Sequence, residues 1–261
     1  MKLPIYQIDA FTGRLFGGNP AAVVLMDEWL PDTVLQAIAA ENNLAETAFV
    51  IPRGEVSPLR WYTPVVEMDL CGHATLATAD VLFRYRFPSL QKISFETKAG
   101  SLIVTREGDR LALDFPARPG KQVEVGADVA GALGARPKEA YLARDLLAVF
   151  GSEAEVRALK PDFRKVAALE AFGVIVSAPG DEVDFVSRFF VPRAGIDEDP
   201  VTGSAHCTLV PFWAERLGRK TLRARQISPR GGELYCELRG DRVIMAGNAV
   251  EYLRGEITVE A

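Results

Sequence analysis

The feature that most constrains this chain is a repeat. "PDTVLQAIAAENNLAETAFVI" from Pro31 resembles "PDFRKVAALEAFGVIVS" from Pro161. "RWYTP" at 60–64 resembles "RFFVP" at 188–192, and "GHATL" at 72–76 sits where "GSAHC" sits at 203–207. "GSLIVTREGDRLAL" at 100–113 resembles "GELYCELRGDRVIM" at 232–245. The shifts are 130, 128, 131 and 132, about half of the 261 residues. Four echoes in one order imply two copies of one fold. The join is expected around "PARPGKQVEV", where Pro and Gly cluster, giving domains 1–117 and 118–261.

Within the first copy, "IYQIDAF" and "AAVVLM" read as strands, being short, β-branched and aromatic. "PDTVLQAIAAENN" reads as a helix, with Val34, Leu35, Ile38 and Ala39 at helical spacing. "ETAFVI" and "PLRWYT" return to strand character. "GHATLATADVLFRY" is a second helix, apolar nearly all round and therefore buried. "KISFET", "SLIVTRE" and "RLALDF" complete the copy as strands. The second copy repeats the plan around "GSAHCTLVPFWAERLG", in which Pro211 is expected to kink the helix or to lie near its first turns. A buried helix among many short strands implies an α+β class, with a sheet wrapped around a helix, twice.

A hydrophobic content of 48% and a net charge of −5 are ordinary for a globular chain and argue against nucleic acid as a partner. No apolar run is long enough to span a bilayer, and "MKLPIYQIDAF" has no signal-peptide core. The three cysteines fit neither a disulfide framework nor a zinc site. A cytoplasmic protein without membrane or metal is the expectation.

Both buried helices start at a glycine beside a polar residue, Gly72-His73 and Gly203-Ser204. A helix start carries unpaired N–H groups and partial positive charge, and glycine lets a ligand approach them. Two such starts facing one another would hold a carboxylate between the copies. Glu46 opens a strand in the first copy, while its counterpart falls near Ala171, with no acid in register. A carboxylate at an apolar strand start suits acid/base work, although a strand-end glutamate is commonly just exposed. Asp199 is either a turn residue before Pro200 or part of the same chemistry. His73 is a site residue or a satisfied buried histidine, and His206 is read as structural. Cys71 and Thr202 occupy matching places before the two glycines. A helix-start cysteine is reactive when its pKa is lowered, and otherwise a small hydrophobe.

The stretches "DAFTGRLFGGNPAAVVL", "NLAETAFV", "RWYTPVVEMDLCGHATLA", "DEDPVTGSAHC" and "SPRGGEL" resemble the phenazine-biosynthesis PhzF-like family, within the diaminopimelate epimerase fold superfamily. They run in the family's order from about residue 9 to 248. The resemblance implies two similar domains, each a strand-rich barrel around a helix, with an active site in the cleft between them. It also implies an isomerase without metal or cofactor that moves a proton on a small carboxylate, often as a homodimer. By position, Glu46 matches the catalytic acid/base, and His73, Asp199 and Ser204 match its partners in proton handling and substrate binding. Gly72 and Gly203 match the helix-start backbone positions, with Cys71 and Thr202 beside them. Superfamily racemases use two cysteines. Thr202 in the second place argues against that chemistry and for one glutamate moving a proton on one face. A one-cysteine epimerase or dehydratase using Cys71, and a non-catalytic small-molecule-binding protein, are the alternatives.

Overall fold

A computed structural model describes residues 1–98 and 100–260 of the chain. Ten elements come first: β1 (Lys2–Ala10), β2 (Asn19–Leu25), α1 (Asp32–Asn42), β3 (Glu46–Val50), β4 (Val56–Tyr62), β5 (Glu67–Met68), α2 (Gly72–Tyr85), β6 (Lys92–Thr97), β7 (Gly100–Glu107) and β8 (Arg110–Pro116). Next come β9 (Lys121–Val123), α3 (Ala127–Leu133), β10 (Glu139–Leu142), β11 (Leu146–Val149), α4 (Glu153–Ala158), α5 (Phe163–Ala168), β12 (Val174–Pro179) and β13 (Phe185–Val191). The remainder are β14 (Ile196–Asp199), α6 (Gly203–Leu217), β15 (Thr221–Gln226), β16 (Gly232–Arg239), β17 (Arg242–Gly247) and β18 (Ala249–Thr258). This is a sheet-rich α+β fold.

The chain divides into two compact units, Met1–Asp114 with Ala246–Ala261, and Phe115–Met245. The division differs from the expected one at 117/118 because β18 runs antiparallel to β1, pairing Lys2 with Thr258 and Ala10 with Ala249. The end of the chain is therefore part of the first unit. Such a pairing spans almost the whole sequence and leaves no local signal.

In the first unit β1 and β2 are antiparallel, β2 and β3 parallel, and β3 and β4 antiparallel. β4 also pairs antiparallel with β5 and parallel with β6, which pairs antiparallel with β7. The second unit has the same series: β10 and β11 antiparallel, β11 and β12 parallel, β12 and β13 antiparallel. β13 then pairs antiparallel with β14 and parallel with β15, which pairs antiparallel with β16. One difference lies in the helical segment. α1, between β2 and β3, is a single eleven-residue helix, whereas two six-residue helices lie between β11 and β12. Their caps account for this: the Ser152 hydroxyl accepts from Glu155 N, and the Asp162 carboxylate accepts from Arg164 N and Lys165 N.

α2 follows its expected bounds and packs against β1, β2, β3, β7 and β18, which explains why nearly every one of its residues is buried. Its threonines survive burial because each hydroxyl donates to the carbonyl one turn back, Thr75 to Cys71 at 2.5 Å and Thr78 to Ala74 at 2.7 Å. α6 packs against β15 and β16 and runs through Pro211. The proline lacks the N–H that would bond Cys207 O, and Arg118 N donates to that carbonyl instead, at 2.8 Å. Trp213, on the same helix, stacks on Phe185 with centroids 5.7 Å apart, and its indole donates to Ser177 Oγ at 2.9 Å.

Candidate active site

Glu46 is the first residue of β3, opposite Ala21 of β2. It is 8% exposed and His73 is 4% exposed, so a carboxylate and an imidazole are both withdrawn from water. Glu46 Oε2 lies 3.1 Å from His73 Nε2. The distance is that of an ion pair, while the alignment is not that of a hydrogen bond, so both atoms retain capacity for a better-placed partner. On the other edge of the ring, Nδ1 meets Asn19 Nδ2 at 3.1 Å and Cys71 Sγ at 3.6 Å.

Local backbone explains the placement. Cys71 is the extended N-cap of α2 and makes no side-chain cap, so its sulfur is left for His73. Asn19 follows Gly17 and Gly18, and Gly18 has φ +63°, where a Cβ would stand 2.1 Å from Ala10 O. Only glycine allows that approach, and the approach delivers Asn19 to the imidazole.

Burial opposes charge on His73, but the sulfur of Cys71 and the carboxylate of Glu46 outweigh it and hold the imidazole well above its ordinary range. Cys71 is itself pushed up, first by burial and then by the charge of Glu46. The carboxylate of Glu46 thus favours a proton on His73. One donor atom from each of Glu46, Cys71 and His73 lies within 4.8 Å of the other two. The thiol and the carboxylate face different nitrogens of the ring, however.

The second unit carries its own set. Thr202, the extended N-cap of α6, donates its hydroxyl to Asp199 Oδ2. Gln226, fully buried on β15, ties this start together: its Oε1 accepts from Thr202 N at 2.8 Å and its Nε2 donates to Asp199 O at 2.7 Å. Ser204 Oγ accepts from Arg144 Nη2 at 3.1 Å, and Asp145 braces the same guanidinium at 2.9 Å. Neither Thr202 nor Cys71 caps its helix with a side chain, so the first-turn N–H groups that begin at Gly203 and Gly72 have no cap acceptor. Asn19, Gln226 and Arg144 had no signal in the sequence beyond their place inside or beside the motifs.

Strand register shows how the sets differ. Thr47 pairs with Tyr62 in the first unit and Val174 with Phe190 in the second. With "RWYTP" aligned on "RFFVP", the counterpart of Glu46 is Gly173, rather than a position near Ala171. A Cβ at Gly173 would lie 2.5 Å from the Phe189 ring, so no acid fits there. Asp199 pairs with Phe189 where Met68 pairs with Trp61, so the second unit's acid sits on a different strand. Thr202 then matches Cys71 and Ser204 matches His73.

His206 is fully buried, with Nδ1 2.8 Å from Thr202 O. Burial lowers its pKa to about 4, against the smaller upward pull of that carbonyl. The unfolded chain binds the proton near pH 6.5, so stability is complete above that pH and falls as pH drops toward 4. The loss is expected to reach about 3 kcal/mol. Urea midpoints measured across pH 7 to 4 should show it, and His206→Gln should flatten the slope in this window. An unchanged slope would contradict the assignment.

A family model described as phenazine biosynthesis-like protein matches residues 8–255. A Pseudomonas aeruginosa protein described as an uncharacterized isomerase is 51% identical over 258 residues, covering 98% of this chain and 99% of the relative. The crystal structure of a PhzF-family phenazine biosynthesis protein from Enterococcus faecalis matches with a TM-score of 0.97 at 48% identity, over 99% of this chain and 100% of that one. A hydroxyproline epimerase from Agrobacterium vitis, 11% identical, shares the fold with a TM-score of 0.63 over 98% and 92% of the two chains. Fold and relatives together define an enzyme of the isomerase class. The chain belongs to the phenazine biosynthesis-like, or PhzF-like, family. Among the described residues, no helix is long and apolar enough to cross a membrane.

Proposed function

We propose that the enzyme shifts a proton within a small carboxylate substrate, without metal or cofactor, using Glu46 as acid and base. The observation that carries this reading is the buried Glu46–His73 pair at the start of α2. Glu46 as carboxylate takes a proton from a carbon activated by conjugation, and the electron pair moves into the conjugated system. Protonated Glu46 then returns the proton to another carbon of that system, so the double bond moves and no atom is gained or lost. His73 and the helix-start N–H groups stabilise the negative charge. Asp199 and Ser204 take part in proton handling and substrate binding, with Gly72, Gly203, Cys71 and Thr202 as substrate-binding positions.

The recurring strand pairings support a further part of the proposal, that the chain is an internal duplication whose two copies kept different side chains. The Cys71 alternative is disfavoured because burial and Glu46 both keep the thiol protonated. Deuterium uptake from heavy water, screened over unsaturated and cyclic amino and hydroxy acids, tests the reading. Glu46→Gln should lose far more of the exchange than Cys71→Ala, and the reverse result would transfer the role to the thiol. A cytoplasmic homodimer completes the proposal. Light scattering that gives the mass of one 28.5 kDa chain would remove the dimer from it.

A further inference from the structure

Asn19 is fully buried at the first position of β2, and its Nδ2 lies 3.1 Å from His73 Nδ1. An amide nitrogen donates hydrogens and accepts none. In this orientation Nδ1 must be the acceptor, and a neutral imidazole then carries its one proton on Nε2. That is the nitrogen 3.1 Å from Glu46 Oε2. Cys71 Sγ, 3.6 Å from Nδ1, acts in the same sense, because a protonated thiol is a weak donor. Among the described residues, Glu46 from β3 and Cys71 from the N-cap of α2 are titratable groups that face the ring.

We propose that Asn19 is a positioning residue that fixes the tautomer of His73, so that the imidazole proton is carried on Nε2, the nitrogen on the side of Glu46. The consequence for rate rests on Glu46 acting as described above, whereas the tautomer itself does not. Aspartate cannot take that role: its ionised carboxylate only accepts, and would draw a proton to Nδ1.

Nitrogen NMR of the chain labelled at histidine tests this directly. There are only two histidines, and His206, whose Nδ1 faces a carbonyl, is the internal reference for an Nδ1–H ring. The neutral form of His73 is expected to carry its proton on Nε2 in the wild type and on Nδ1 in Asn19→Asp. In Asn19→Leu it should be a mixture of the two tautomers. A urea unfolding transition like that of the wild type, together with an unchanged His206 signal, certifies that each variant is folded, and either variant alone decides the matter. A wild-type ring protonated on Nδ1, or one tautomer throughout, would overturn the proposal. Proton exchange in Asn19→Asp should fall by at least about 10²-fold, as expected when an acid–base group is mispositioned. If Glu46→Gln kept full exchange while the tautomer pattern held, the mechanism would fail and the role of Asn19 would stand.

Discussion

Replacing Glu46 by Gln is expected to cut proton exchange by roughly 10²–10⁴-fold, the usual contribution of a positioned acid or base. Gln keeps the shape of the side chain and can still hydrogen-bond, so the fold should survive. The charge that holds a proton on His73 disappears, however. Burial opposes that proton, so the His73 titration should move downward in the variant. Two independent readouts therefore follow from one substitution, a rate and a titration. A folded Glu46→Gln enzyme that exchanges at the wild-type rate would refute the mechanism. An unmoved His73 titration would show that Glu46 is not its counter-charge.

Trp213→Ala is expected to cost about 3–5 kcal/mol, the usual range for truncating a large buried aromatic. Trp213 is 1% exposed. It loses the stack on Phe185 and the edge contact with Phe212 at 5.2 Å, and leaves Ser177 Oγ without its indole donor. Ser177 itself still donates to Val186 O at 2.7 Å, so the strand pair β12–β13 keeps that link. Trp213→Phe should cost much less, because it retains most of the packing and gives up one hydrogen bond worth about 0.5–1.5 kcal/mol. Urea denaturation with an unchanged slope measures both. An alanine variant within about 1 kcal/mol of wild type would mean that α6 is not held by this residue.

Local readings of the chain succeeded where one element contains its own signal. α2 begins at Gly72 and ends at Tyr85, as its uninterrupted apolar run required. "KISFET" is β6 residue for residue. Pro211 was harder to place, because whether a proline breaks a helix depends on the fate of the carbonyl it abandons. Here Arg118 N, far away in sequence, accounts for it. That two short helices rather than one would lie between β11 and β12 was not legible, since Ser152 and Asp162 cap equally well wherever a chain turns.

The site divides in the same way. That Glu46, His73 and the glycines at the helix starts stand in distinct motifs was legible in the sequence. Their distances were not. The 3.1 Å approach of Glu46 to His73 joins a strand start to a helix start across 27 residues of chain, counted from 46 to 73. Asn19 reaches the same imidazole only because Gly18 adopts a backbone that brings it there. The order of motifs along the chain determined that many short strands would surround buried helices, and α2 and α6 are those helices. Tertiary structure alone decided that β18 closes on β1, that Gly173 has no room for a side chain, and which nitrogen of His73 meets which partner. The reason is physical. Periodicity and turn chemistry act between neighbours in sequence, whereas strand register, burial and proton sharing act between residues that only the folded chain makes neighbours.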